Sequence, residues 1–136
     1  MRRYEFLTKH DIFSALNKVR DALLAAKDGN EVNELLEGLF TKEERLQIGR
    51  RILIAEQLRL GQTHADIVED LHVGKGTVGA VYNKLNSNPN CFELIFRRGK
   101  KVEKDYSDKK YRMVGGSTLV FKKKEYTGIT RKDIKR

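Results

Sequence analysis

Along residues 63–85, THADIVEDLHVGKGTVGAVYNKL, the apolar positions are Ile67, Leu71, Val73, Val78 and Val81. The spacing of an amphipathic helix breaks at His72-Val73-Gly74 and resumes from Thr77. Two short amphipathic faces therefore point into one angle, with Val73 plugging the corner. This is the pattern of a helix-turn-helix, whose second helix (75–86) is built to lie in a DNA major groove. Gly74 suits the N-cap of that helix. An ordinary helical hairpin inside a core is the competing reading of the same pattern.

The pattern upstream is helical too. Thr8 with Asp11 three residues on approximates a capping box, and Leu7 can staple against Ile12. Ile12, Leu16, Val19, Leu23 and Ala26 then form a narrow stripe, suited to a helix-helix seam. It reads either as a dimer interface or as packing within one chain. Asp28-Gly29-Asn30 is expected to end this helix, with Gly29 in the C′ role. A second helix is expected over about 31–39, carrying Val32, Leu35, Leu36 and Leu39. Thr41 and Glu44 box the start of a third, which runs to Leu60 and stops at Gly61. Its expected buried stripe is Leu46, Gly49 and Leu53 with Ile48, Ile52 and Ala55. Thr63 and Asp66 box the start of the motif. Pro89 sets either a turn or the start of a last short helix, bearing Phe92, Leu94, Ile95 and Phe96 up to Arg98.

Charge then separates body from tail. Residues 1–90 hold 13 Lys/Arg against 13 Asp/Glu, whereas residues 91–136 hold 15 against 6, which supplies the whole net charge of +9. A basic tail suits a polyanion, because each neutralised phosphate releases counterions. Lys100 to Lys110 lacks apolar periodicity and is expected to be a linker. Residues 111–121, centred on Gly115-Gly116, read as a small β-hairpin. Lys122-Lys123-Lys124 follows, as an arm along phosphates or as a solubilising end. The predicted fold is all-α over 1–98, with a helix-turn-helix at 63–85 and a basic extension over 99–136.

Other chemistry is narrowed by what the sequence holds. The longest wholly apolar run is Ala22 to Ala26, far short of the ~20 residues a membrane span needs. Cys91 is the one cysteine, which fits a reducing cytoplasm, and it reads as a small buried hydrophobe. The three histidines and one cysteine lack close-set ligand spacing, so no metal site is assigned. No serine or cysteine sits in a nucleophile motif, and Glu43-Glu44 is explained by helix capping, so an enzyme is not expected. No phosphate-binding loop accompanies the motif.

Residues 35–85 resemble the core of the tryptophan repressor family. The likeness lies in Leu39-Phe-Thr41-x-x-Glu-Arg, in Gly49-Arg-Arg-Ile-x-Ile-Ala-Glu-Gln-Leu, in the Gly61 turn and in the helix-turn-helix. With the flanking helices it spans approximately the first 98 residues. It implies an interwound homodimer whose two recognition helices meet successive major grooves of double-stranded DNA about 34 Å apart. Lys75, Gly76, Thr77, Gly79, Ala80 and Asn83 would then face bases. Arg50, Arg51, Thr63, His64, Lys84 and the tail's Lys122, Lys123 and Lys124 would meet phosphates. The family's effector pocket maps onto Thr41, Arg51 and Lys84, but Ala80 stands where the family has an arginine and Lys84 where it has a serine. Half the polar clamp for a buried indole amino acid is thus absent, so tryptophan is not the expected corepressor. The chain is expected either to need no effector or to sense another small molecule, and no cofactor is assigned. The function expected is a cytoplasmic, nucleoid-associated repressor. The alternative is a structural protein that coats DNA or RNA and draws its affinity from the tail.

Overall fold

Local hydrogen bonds from the chain's own threonines set where three of its helices begin. A computed structural model describes residues 2–110, 112–113 and 119–120. They form a 3-10 turn (Arg2–Tyr4) and the helices α1 (Lys9–Ala25), α2 (Gly29–Leu39), α3 (Lys42–Arg59), α4 (His64–Leu71), α5 (Lys75–Ser87) and α6 (Pro89–Lys110). At Thr8, Thr41 and Thr63 the hydroxyl accepts from the amide of Asp11, Glu44 and Asp66, each at 3.2 Å. The same three carboxylates accept from the threonine amides at 3.0, 2.8 and 3.4 Å. Two orphan donors are satisfied at each helix start. The Thr8 hydroxyl and then its amide hold Asp11 below the usual carboxylate range, and the Thr41 amide and then its hydroxyl do the same for Glu44.

Two compact units divide the chain near Leu39. In the first, α1 and α2 pack as neighbours in sequence. The expected C′ role for Gly29 is not what occurs, because Gly29 is the first residue of α2. The Asp28 carboxylate accepts from the Glu31 amide at 2.9 Å, and Glu31 accepts from the Lys27 amide at 2.7 Å. This reciprocal cap starts a helix just where glycine might have ended one. None of the residues of α1 is buried.

The second unit is built on α3, α4, α5 and α6. Ile54, Ala55, Ile67, Val78, Val81 and Phe96 are buried together, with Leu58, Val68, Leu71, Val73, Leu85, Phe92 and Ile95 packed around them. The motif's predicted apolar residues therefore all reach this core. The stripe expected on α3 does so only in part. Ala55 is buried and Ile52 half-buried as expected, but the helix's other buried residue is Ile54, while Leu46, Ile48, Gly49 and Leu53 are exposed. Helix α3 is apolar on more than one side, so spacing alone does not say which side its own unit covers. The helix ends in a Schellman turn, with Gly61 at φ 84° and the Gln62 amide donating to the Gln57 carbonyl at 3.1 Å.

Helix α6 corrects two further expectations. It does not end at Arg98 but continues to Lys110, through the stretch expected as a linker, so a boundary at 98/99 falls inside a helix. Lysine and glutamate are good helix formers, and a helix over these residues needs no apolar stripe to persist. Cys91 is exposed, not buried. Of the hairpin expected over 111–121, the described residues are Arg112–Met113 and Leu119–Val120, and they do not by themselves establish it. The remainder, Gly115-Gly116 included, lies outside the described residues, and so does Lys122-Lys123-Lys124.

The corner between α4 and α5 has one costly residue. His72 adopts φ 51° and ψ 52°, the left-handed region, as the C-cap of α4. That conformation crowds a Cβ against the following carbonyl, a crowding glycine escapes. His72→Gly should therefore raise stability by about 0.5–1 kcal/mol in urea unfolding, seen as a higher midpoint at unchanged slope.

Candidate nucleic-acid interface

Helix α5 turns one side to the core and the other to solvent. Val78 and Val81 are buried, and Leu85 is half-buried on the same side. Lys75, Gly76, Thr77, Ala80, Asn83 and Lys84 are exposed, and Gly79 is half-buried. At 3.6 residues per turn Gly76, Gly79, Ala80 and Asn83 share the meridian opposite the buried valines. The six expected base-facing residues thus occupy one continuous outer surface of small and polar groups. Gly74 caps the helix without a side-chain bond. Its amide end therefore stays open, as helix N-termini that meet phosphates do.

The glycines of this surface have no internal explanation. A Cβ built on Gly76 or Gly79 would meet nothing within 4 Å. Each costs the helix ~1 kcal/mol relative to alanine. Neither packing within the unit nor backbone conformation requires them, since neither has a positive φ.

The residues expected at phosphates fall into different roles. Arg50 leaves α3 to reach the corner, where its Nη2 donates to the Leu71 carbonyl at 2.6 Å and the His72 carbonyl at 3.2 Å. These are the last carbonyl of α4 and that of its left-handed cap, so the guanidinium fastens α3 to the turn. The Thr63 hydroxyl is engaged within its capping box, donating to Asp66 at 2.7 Å besides accepting. His64 is exposed and meets the Tyr82 ring edge-on, centroids 5.3 Å apart, tying the start of α4 to the middle of α5.

Arg51 and Lys84 come together. Both line an open cavity of about 730 Å³, with Gly76, Thr77, Ala80 and Val81 from α5, Asn88 between helices, and Cys91 and Phe92 from α6. Thr41 is not among its lining residues, and its hydroxyl is held by Glu44. Two cations over an apolar wall could receive an anion with an apolar body. The contribution of Asn88, Cys91 and Phe92 was missed in the sequence, although their three-and-four spacing at the start of α6 marks one face. Among the described residues no cluster of His, Cys, Asp or Glu could hold a metal, and no helix is long and apolar enough to cross a membrane.

Comparisons with known proteins follow the same residues. The family model described as Trp repressor protein matches residues 14–100. The chain is also similar to the uncharacterized protein YerC of Bacillus subtilis (strain 168), 27% identical over 94 residues, which cover 69% of this chain and 90% of that protein. No solved structure matches.

The Arg50 geometry makes a test that separates fastening from phosphate contact. Arg50→Ala should lower stability by about 1 kcal/mol through the lost carbonyl bonds. It should weaken binding to duplex DNA without changing the slope of log affinity against log salt. Loss of a phosphate contact would instead make that slope about 0.9 shallower.

Proposed function

The chain belongs to the Trp repressor family of DNA-binding helix-turn-helix regulators, and on that premise we propose that it is a dimeric, sequence-specific repressor reading a pseudo-palindromic duplex with α5. The observation that carries this is the pair Gly76 and Gly79, exposed or half-exposed on the outer meridian with no neighbour inside the chain. A helix that gives up ~2 kcal/mol of its own stability at two bare positions is shaped for close approach by another backbone. Lys75 and Asn83 flank them as hydrogen-bonding groups, and Asn83 can pair an adenine edge while Ala80 touches a thymine methyl. Without an arginine on this surface, groove shape and bridging water carry much of the selectivity.

Two apolar surfaces support the dimer. Leu16 and Leu23 of α1 are 60% and 52% exposed, and Leu46 and Leu53 of α3 are 55% and 48% exposed. Such rows of leucine are what a second copy covers. The repressor acts in the cytoplasm at the nucleoid by blocking promoter access, with residues 99–136 as a basic extension. Thr41, Arg51 and Lys84 remain the candidate effector set, Arg51 and Lys84 through the shared cavity. The second reading, a coating protein, is favoured by one observation, the placement of all excess positive charge after residue 90. Neither reading gives the chain an enzymatic step.

Selection of bound duplexes from random sequence tests the reading, and it should return a two-fold symmetric consensus. A set without any consensus sinks the repressor and leaves the coating protein. On the selected site, Gly76→Ala and Gly79→Ala should each raise the stability of the free protein by about 0.5–1 kcal/mol while lowering affinity at least tenfold. More stable variants with unchanged affinity would mean that nothing approaches this surface. Leu16→Glu combined with Leu23→Glu should shift the protein to a monomer in sedimentation and remove binding to the symmetric site.

A further inference from the structure

Helix α6 carries a second charged surface that the helix-turn-helix reading does not use. Arg97, Lys100, Lys101 and Lys104 are all exposed. At 3.6 residues per turn they fall within about 100° of arc, turned away from Phe92 and Ile95, which pack on the core, while buried Phe96 borders the arc beside Lys100. Two acidic residues share that meridian, Asp108 one turn beyond Lys104 and Glu93 one turn before Arg97, and Glu93 faces Arg59 at 3.6 Å. Arg59 in turn lies over the Phe96 ring, 4.7 Å from its centroid, which fastens the first half of α6 to the end of α3. Glu103 and Asp105 lie to either side of the basic arc, not within it. Because α6 is helical through Lys110, these cations are a ridge in fixed register and not scattered charges on a loose segment.

We propose that this ridge is a second DNA-contact surface, which tracks the phosphate backbone without reading sequence. The inference deepens the function proposed above, but it does not need α5 to be selective. The four cations span about 10 Å along the helix. Successive phosphates of one strand advance about 3.4 Å along a duplex, so the ridge can lie against two or three of them. A membrane surface is the poorer occupant. An interfacial helix needs a broad apolar face beside its cations, whereas Val102, the large apolar side chain within 97–104, lies well off the ridge. Helix α6 packs directly on α5, which puts both surfaces in one unit.

The test uses the full-length protein and a long duplex of random sequence. Arg97→Gln, Lys100→Gln, Lys101→Gln and Lys104→Gln together should make the salt slope of log affinity shallower by about three, at ~0.9 per phosphate released. A control neutralising Lys18, Arg20, Lys27 and Lys42 to glutamine should leave the slope within one unit. Exchanging Lys100, Lys101 and Lys104 for arginine should preserve it, and circular dichroism should give equal helix content throughout. A slope change below one for the ridge variant, or an equal change for the control, overturns the proposal. So does a ridge variant that keeps its DNA slope but loses binding to vesicles containing phosphatidylserine. A protein with no consensus site whose random-DNA slope still depends on the ridge would refute the repressor and uphold the ridge.

Discussion

The structure depends on water being excluded from one spot, where Ile54 of α3, Ile67 of α4 and Val78 of α5 are fully buried. Helix α5 is a poor helix by its own sequence, with Gly76 and Gly79 in its first turns and no side-chain cap. The two glycines forfeit ~2 kcal/mol. Burying an aliphatic side chain contributes ~1.5–3 kcal/mol, and Val78, Val81 and Leu85 all face inward. The inner face therefore outweighs what the outer face gives up. That imbalance frees the outer meridian to be selected for what it meets.

Orientation is a separate matter from stability, and polar contacts supply it. The corner needs a left-handed residue, and His72 takes that position at a cost that glycine would avoid. Arg50 then donates to both carbonyls at the corner, so the strained residue is held from the neighbouring helix. His64 against Tyr82 adds a second tie between α4 and α5. The hydrophobic junction would tolerate small rotations of α5. The directional bonds at its start restrict them.

What the sequence made legible was local. Three capping boxes and the break at His72-Val73-Gly74 involve partners within four residues, so spacing alone located α1, α3, α4 and α5. The fastening role of Arg50 is not legible in the sequence because its partners lie 21 and 22 residues away, and charge suggests a phosphate before it suggests a carbonyl. The α3 stripe is only partly legible because apolar residues surround that helix: Ala55 faces the core as its spacing implies, but only packing shows that Ile54 joins it and that Leu46, Ile48 and Leu53 do not. Gly29 was read as a stop although Asp28 and Glu31 make it a start. The far half of α6 was read as linker because its regularity lies in lysines and arginines, which an apolar template does not register. The cavity was half legible, since Arg51 and Lys84 were paired in advance while its α6 wall was not.

The same division of labour explains which surfaces can change without disturbing the fold. The inner face of α5 is tied to Ile54 and Ile67, so substitution there moves the helix and everything it presents. The outer meridian and the α6 ridge touch nothing that sets the core. A Cβ on Gly76 or Gly79 finds empty space, and the ridge cations are exposed. Under the functions proposed for them, base preference would vary through a few small residues on α5 and phosphate affinity through charge on α6, each independently of the other. Arg50 is the point where this independence fails, because it is a cation whose removal would alter the angle of α5 as well as the charge. Arg50 thus shows that a cation near the motif can serve the fold through the carbonyls it touches, whatever its charge also does.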